Sequence, residues 1–208
     1  MSKAKRNTVI AVVCTVLVVA LLGSLVAYSS LVTSGYFLRN TVVATTENYA
    51  VDNAVFSYFF HKYYQEFNNT YGYYFPINAN VSLKGQACSL YNDGSTWFDF
   101  FAANAKSTLS NTLAFCEEAK ARGIALTEED YEDIDNAIAS IKDAAKQAGV
   151  TVSYYTHAMF GSGVNQKDLR RALELSVLAA KCNQAIVDAY NSTEADFNKY
   201  IEENPSAL

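Results

Sequence analysis

Histidine, proline and glycine are scarce in this sequence, with two, two and nine copies among 208 residues. So few prolines and glycines exclude a disordered linker and a glycine-rich phosphate loop. The two histidines, His61 and His157, fall in no metal-ligand spacing, and the chain has no His-Glu-x-x-His, Cys-x-x-Cys or Gly-x-Ser-x-Gly motif. No catalytic residue, metal ligand or cofactor-binding residue is therefore assigned, and the chain reads as a non-enzyme. The densest acids, Glu128, Glu129, Asp130, Glu132 and Asp133, are accounted for by a helix start and its solvated first turn.

Long apolar runs are not lacking. Residues 8–32 carry no charge, and Val9 to Ala27 is almost wholly Val, Ile, Leu and Ala. A helix rises ~1.5 Å per residue, so ~20 such residues span a hydrocarbon core ~30 Å thick. Lys3, Lys5 and Arg6 precede the run and the next cation is Arg39. Positive charge stays cytoplasmic, which turns the N-terminus inward and the C-terminus outward. The expected organisation is a cytoplasmic stub (1–7), a transmembrane anchor (8–32), an extended leader (33–50), a helical domain (51–204) and a tail (205–208). A cleavable signal peptide is the rival reading, with Ala27-Tyr28-Ser29 as a small-x-small site, but signal h-regions run to only ~7–15 residues. Both readings put the chain from about residue 34 on the extracytoplasmic face of a cell membrane.

Cations are few beyond the membrane. Thirteen Lys and Arg face 21 Asp and Glu there, a net of −8, which argues against nucleic acid or an anionic lipid surface as the partner of that domain. Cys88, Cys116 and Cys182 lie on the same side, and an odd number cannot pair fully, so this is no disulfide scaffold. Cys116 and Cys182 fall on apolar stripes and are expected to be buried free thiols. One bridge involving Cys88 stays open.

The pattern predicts an all-α domain of five or six helices, with a short strand or an extended leader over residues 41–46. Asp52 or Asn53 opens a helix to about Tyr71, and residues 72–94 form a long loop with a short helical turn around Leu83–Tyr91. Ser95 or Thr96 caps a second long helix to about Arg122, with Gly123 in the left-handed C′ position. Thr127 caps a third, which carries Ile134, Ala137, Ile138, Ile141, Ala144 and Ala145 inward and stops at Gly149. Ser153 caps a short helix over 154–160, Asn165 a long one to about Tyr190, and Thr193 a last one ending before Pro205.

Aromatics are abundant. Eleven Phe or Tyr residues fall in the twenty positions from Phe56 to Phe75. At 100° per residue Phe56, Phe59, Phe60, Tyr63, Tyr64, Phe67 and Tyr71 share an arc of ~140°, a buried face. Tyr58 points nearly opposite, while Tyr73, Tyr74 and Phe75 lie beyond the helix. With Trp97 these four form the candidate client-binding surface, because exposed apolar patches are rare unless something binds them.

The order of features resembles the SurA/PrsA-type extracytoplasmic chaperones. The resemblance rests first on Val43-Ala44-Thr45-Thr46-Glu47-Asn48-Tyr49-Ala50-Val51 feeding Ala54-Val55-Phe56-Ser57-Tyr58-Phe59-Phe60, similar to the strand, turn and helix that open that family's N-terminal domain. It continues through Ala119-Lys120-Ala121-Arg122-Gly123-Ile124-Ala125-Leu126-Thr127-Glu128-Glu129-Asp130, then Phe160-Gly161-Ser162-Gly163-Val164-Asn165 with Lys167-Asp168-Leu169-Arg170, and a last helix over 193–204. The resemblance covers roughly residues 41–204. It implies a SurA N-terminal-like fold and a membrane-tethered, ATP-independent holdase or foldase for unfolded exported polypeptides, in a bacterium of Gram-positive type. Many members continue into a parvulin peptidyl-prolyl isomerase module; nothing up to Leu208 resembles one, so no isomerase activity is expected of this chain. Whether the chain is a short paralogue or the first part of something longer stays open. The second reading is a non-enzymatic scaffold or sensor ectodomain with one specific partner.

Overall fold

The structure is a computed structural model that describes residues 3–189 and 194–204, with side chains for 17–189 and 196–204. It is mostly helical. Among the described residues the order is α1 (Lys3–Thr33), α2 (Tyr36–Arg39), β1 (Val42–Thr45), β2 (Ala50–Asp52), α3 (Asn53–Tyr71), a 3-10 turn (Leu83–Gly85), α4 (Trp97–Ala121), α5 (Glu128–Gln147), α6 (Val152–Phe160), α7 (Gln166–Ala189) and α8 (Glu194–Glu203).

The expected apolar run lies within α1, one helix of 31 residues. Eight large side chains between Leu17 and Tyr28 are 54–67% exposed. Among the described residues no helix is long and apolar enough to cross a membrane. The first half of the run, through residue 16 and including Cys14, lies outside the described side chains.

Gly35, at φ +74°, turns the chain out of α1 into the four-residue α2, an element that the sequence reading left inside an extended leader. The expected strand is β1, and it pairs antiparallel with a second strand, β2, inside the same leader. Their register shifts between Val42 and Ala44. Asp52 then caps α3: its Oδ1 accepts from the backbone N–H groups of Ala54 and Val55, both at 3.1 Å. Its Oδ2 accepts from Arg171 of α7 at 2.5 Å.

Most helix starts fall where the caps predict. Thr96 with Asp99 and Thr127 with Asp130 form complete capping boxes, each satisfying backbone donors that a helix start leaves free. Asn165 accepts from the N–H groups of Lys167 and Asp168. The short α6 begins earlier than predicted, because Thr151 rather than Ser153 accepts from the Tyr154 N–H. Tyr190, Thr193 and Pro205, which carried the expected boundaries of the last two helices, lie outside the described residues.

The core sits where α4 packs on α3 and α7, with α5 against α7 and α6, and α6 against α3. Phe101 is its centre, fully buried, with the rings of Phe60, Tyr63, Tyr64, Phe67, Trp97 and Phe100 at centroid distances of 5.2–6.2 Å. Five of the six meet it tilted well away from parallel, the arrangement favoured by aromatic quadrupoles. On α5, Ile134, Ile138 and Ala145 are buried as expected, but Ala137 is exposed, because the stripe that meets α6 and α7 is narrower than the apolar pattern. Cys88, Cys116 and Cys182 are all buried and free, so the Cys88 bridge left open by the sequence is not formed.

Candidate functional site

The five aromatic residues nominated from sequence do not share one surface. Tyr58 is 7% exposed, and its ring stacks on Phe160 of α6 at 5.5 Å and meets the edge of Phe59 at 5.4 Å. The expectation that it faces solvent is corrected by α6. That helix lies over the face of α3 opposite the main stripe, held by hydrogen bonds from Ser57 Oγ to the Phe160 carbonyl and from Gln65 Nε2 to the Met159 carbonyl, both 2.7 Å. Burial raises the Tyr58 phenol pKa, and the nearby Glu66 carboxylate adds to the effect. Trp97 is 3% exposed, wedged against Phe67, Phe100 and Phe101, and is likewise a core residue.

The other three stand differently. Phe75 is half-buried, with its ring 6.3 Å from Phe67. Tyr73 and Tyr74 are 91% and 73% exposed, their rings nearly perpendicular at 5.3 Å. Tyr71, Leu90 and Tyr91 add exposed apolar area near them. Tyr71 and Tyr91 stack around Phe67 and Phe100, so this patch caps the aromatic core at the C-terminal end of α3. The loop beneath is braced by Gln86, whose side chain bonds the backbone of Asn78 and Val81, and by the Cys88 N–H donating to the Ser95 carbonyl at 2.8 Å.

Three clefts indent the helical surface. One of about 380 Å³ lies between α3, α4 and α7, with Phe59, Tyr63, Phe115 and Ala179 beside Lys62 and Glu66. One of about 420 Å³ is lined by Tyr49, Val51, Leu126, Tyr131, Leu175 and Arg171. A third, of about 460 Å³, runs between β1 and α4, with Val43, Phe56, Ala102 and Leu109 around Lys106. Each mixes apolar walls with few charged side chains.

Burial shifts two groups that could do chemistry. Burial of Cys116, with Cys182 and Glu117 nearby, pushes its thiol up to about 11, so it is protonated at neutral pH. Burial lowers the pKa of His61, which lies on α3 against Gly161. Among the described residues no three His, Cys, Asp or Glu side chains gather as a metal site.

Sequence reasoning missed the most heavily bonded polar group in the fold. Arg39, at the end of α2, donates from Nε and Nη2 to the two oxygens of Asp168 at 2.9 and 2.7 Å. Nη2 also reaches the Gly163 carbonyl at 2.8 Å, and Nη1 the Ser34 carbonyl at 2.5 Å. Asp168, on the first turn of α7, is 1% exposed. Its partner is 129 positions away, so no local pattern announces the pair. No protein-family model matches the chain, nor does any curated protein or any solved structure.

Proposed function

We propose that the chain is a membrane-tethered, extracytoplasmic chaperone that holds unfolded exported polypeptides without ATP. The observation that carries this reading is the exposed ring pair of Tyr73 and Tyr74, just beyond Tyr71 at the end of α3, outside a completed aromatic core. These rings are not needed inside, since Phe101 already has six aromatic neighbours. Left in water, they offer large amphipathic contact area to a client's apolar side chains. The client-binding set is accordingly Tyr73, Tyr74 and the half-buried Phe75, without Tyr58 and Trp97.

Two further observations support the reading. The β1–β2 hairpin feeding α3 is the strand, turn and helix order of the SurA/PrsA resemblance. The exposed apolar side chains of α1 from Leu17 to Tyr28 favour an anchor, because a helix segment that is apolar all round is unstable in water and stable in lipid. A tether places the patch where exported chains emerge and raises its effective concentration there. Parvulin activity is no part of the proposal.

The test uses the full chain in lipid nanodiscs with a chemically unfolded client. Slowed client aggregation, lost on Tyr73→Ser with Tyr74→Ser, is the expected result. No effect on aggregation, together with tight capture of one folded partner, would replace the chaperone reading with the scaffold reading.

A further inference from the structure

A second exposed aromatic group stands at the other end of the domain. Tyr28 near the end of α1 and Tyr36 and Phe37 of α2 are 61%, 51% and 44% exposed. The chain folds back at Gly35 so that Phe37 contacts both tyrosines, at 5.9 and 5.6 Å between ring centroids. The three rings thus form one cluster, continuous along the chain with the apolar face of α1.

Six carbonyls of this corner are satisfied from within it. The carbonyls of Val32, Ser34, Gly35, Tyr36, Phe37 and Leu38 each accept a hydrogen bond from within the corner itself. Gly35 N–H, Arg39 Nη1, Arg39 N–H, Asn40, Thr41 Oγ1 and Thr41 N–H are the respective donors. Side chains of Asn40 and Thr41 thereby close the last turn of a four-residue helix that would otherwise need water.

Charge points the same way. No Asp or Glu occurs before Glu47, while Lys3, Lys5, Arg6 and Arg39 all precede it. From residue 47 onward 12 Lys and Arg meet 21 acids, a net of −9. The corner is therefore the part of the domain that anionic headgroups repel least, and the remainder is pushed away from them.

The corner is also fixed to the domain. A Cβ on Gly35 would stand 2.1 Å from the Gly163 carbonyl oxygen, and one on Gly163 would stand 2.7 Å from the Gly35 Cα, so the two backbones touch. Arg39 clamps this contact through Asp168.

We infer that the α1–α2 corner is a bilayer seat: Tyr28, Tyr36 and Phe37 lie in the headgroup region of a phospholipid leaflet and, through the Gly35–Gly163 contact and the Arg39–Asp168 pair, hold the helical domain in one orientation on it. The inference rests on the anchor reading above. Aromatic rings concentrate at that depth because they are apolar in body and polar at the edge.

The test reconstitutes the full chain in phosphatidylcholine–phosphatidylglycerol vesicles, with or without bromine on the acyl chains as a quencher. Single tryptophans are introduced as Leu22→Trp, Phe37→Trp and Tyr73→Trp, all at exposed positions, and the parent chain supplies the emission of buried Trp97. Leu22→Trp and Phe37→Trp should both lose emission in brominated vesicles, and Tyr73→Trp should not. Loss at position 22 without loss at position 37 overturns the seat and leaves the anchor standing. Loss at position 37 alone contradicts the anchor on which the seat rests, and overturns both. If neither is quenched both fall, and a blue shift of the Phe37→Trp emission that grows with protein concentration would assign the face to a second copy instead.

Discussion

The two exposed aromatic groups sit at opposite ends of α3, whose 19 residues span about 28 Å, and they are built on opposite principles. Tyr28, Tyr36 and Phe37 stand on a corner locked by a buried ion pair and a glycine–glycine contact, in a stretch without acids. Tyr73 and Tyr74 stand on a loop of a strongly acidic domain, and they are far more exposed. A permanent neighbour such as a bilayer rewards a rigid support, because the ordering cost is met once in folding. A transient and variable client rewards side chains that can still turn. The same residue type thus serves two tasks, and what distinguishes them is the support rather than the ring.

The largest expected effect comes from removing the rigid support. Arg39→Ala leaves the buried Asp168 carboxylate with only the Asn165 backbone N–H as donor, and loss of one partner of such a pair costs about 3–5 kcal/mol. Chemical denaturation should show that loss, and Arg39→Met combined with Asp168→Leu should recover much of it. A clamp that is only a surface ion pair would instead give a loss under about 1 kcal/mol for Arg39→Ala.

Tyr58 against Tyr73 and Tyr74 sharpens the comparison next. Tyr58→Ser removes a ring packed between Phe59 and Phe160 and should cost about 3 kcal/mol or more, read as a lower melting temperature. Tyr73→Ser and Tyr74→Ser should stay within about 0.5 kcal/mol of the parent. Equal melting temperatures for the Tyr58 and Tyr73 variants would return Tyr58 to the surface.

The smallest effect concerns the seam between α3 and α6. Burial holds the His61 pKa below its unfolded value of about 6.5, so the unfolded chain takes up the proton first as pH falls. Stability from this group is complete above that pH and declines as pH drops through it toward the folded pKa. His61→Gln should flatten the stability profile below about pH 6.5 without moving the plateau above about pH 7 much. An unchanged slope would place the acid sensitivity elsewhere.

Helix starts were legible because their signals are local. Thr96 with Asp99, and Thr127 with Asp130, read as caps from three-residue spacing alone, and Gly123 and Gly149 take the positive φ that their positions imply. The burial of Tyr58 was not legible, since a helical wheel assumes one buried face and α3 has two. Nothing near residue 58 says that α6, almost a hundred residues later, will lie across it. Trp97 was ambiguous for a related reason: on the first turn of a helix it faces the core only because the preceding loop folds over α4 through the Ala87–Thr96 bridge. The Arg39–Asp168 pair had no local signature, as each residue alone looks like an ordinary charge at a helix end. Of the nominated site, Tyr73 and Tyr74 were found at the surface because they lie outside any periodic element.

Cys88, Cys116 and Cys182 have a use that follows from being both free and buried. None can be reached by a thiol reagent until the structure around it opens, so each labelling rate is a clock for one region: the tyrosine-bearing loop, the middle of α4, and the α7 face that meets it. With Cys14 replaced, the three rates divide the molecule into what breathes and what holds. A client that grips the loop would slow the first clock and leave the other two running.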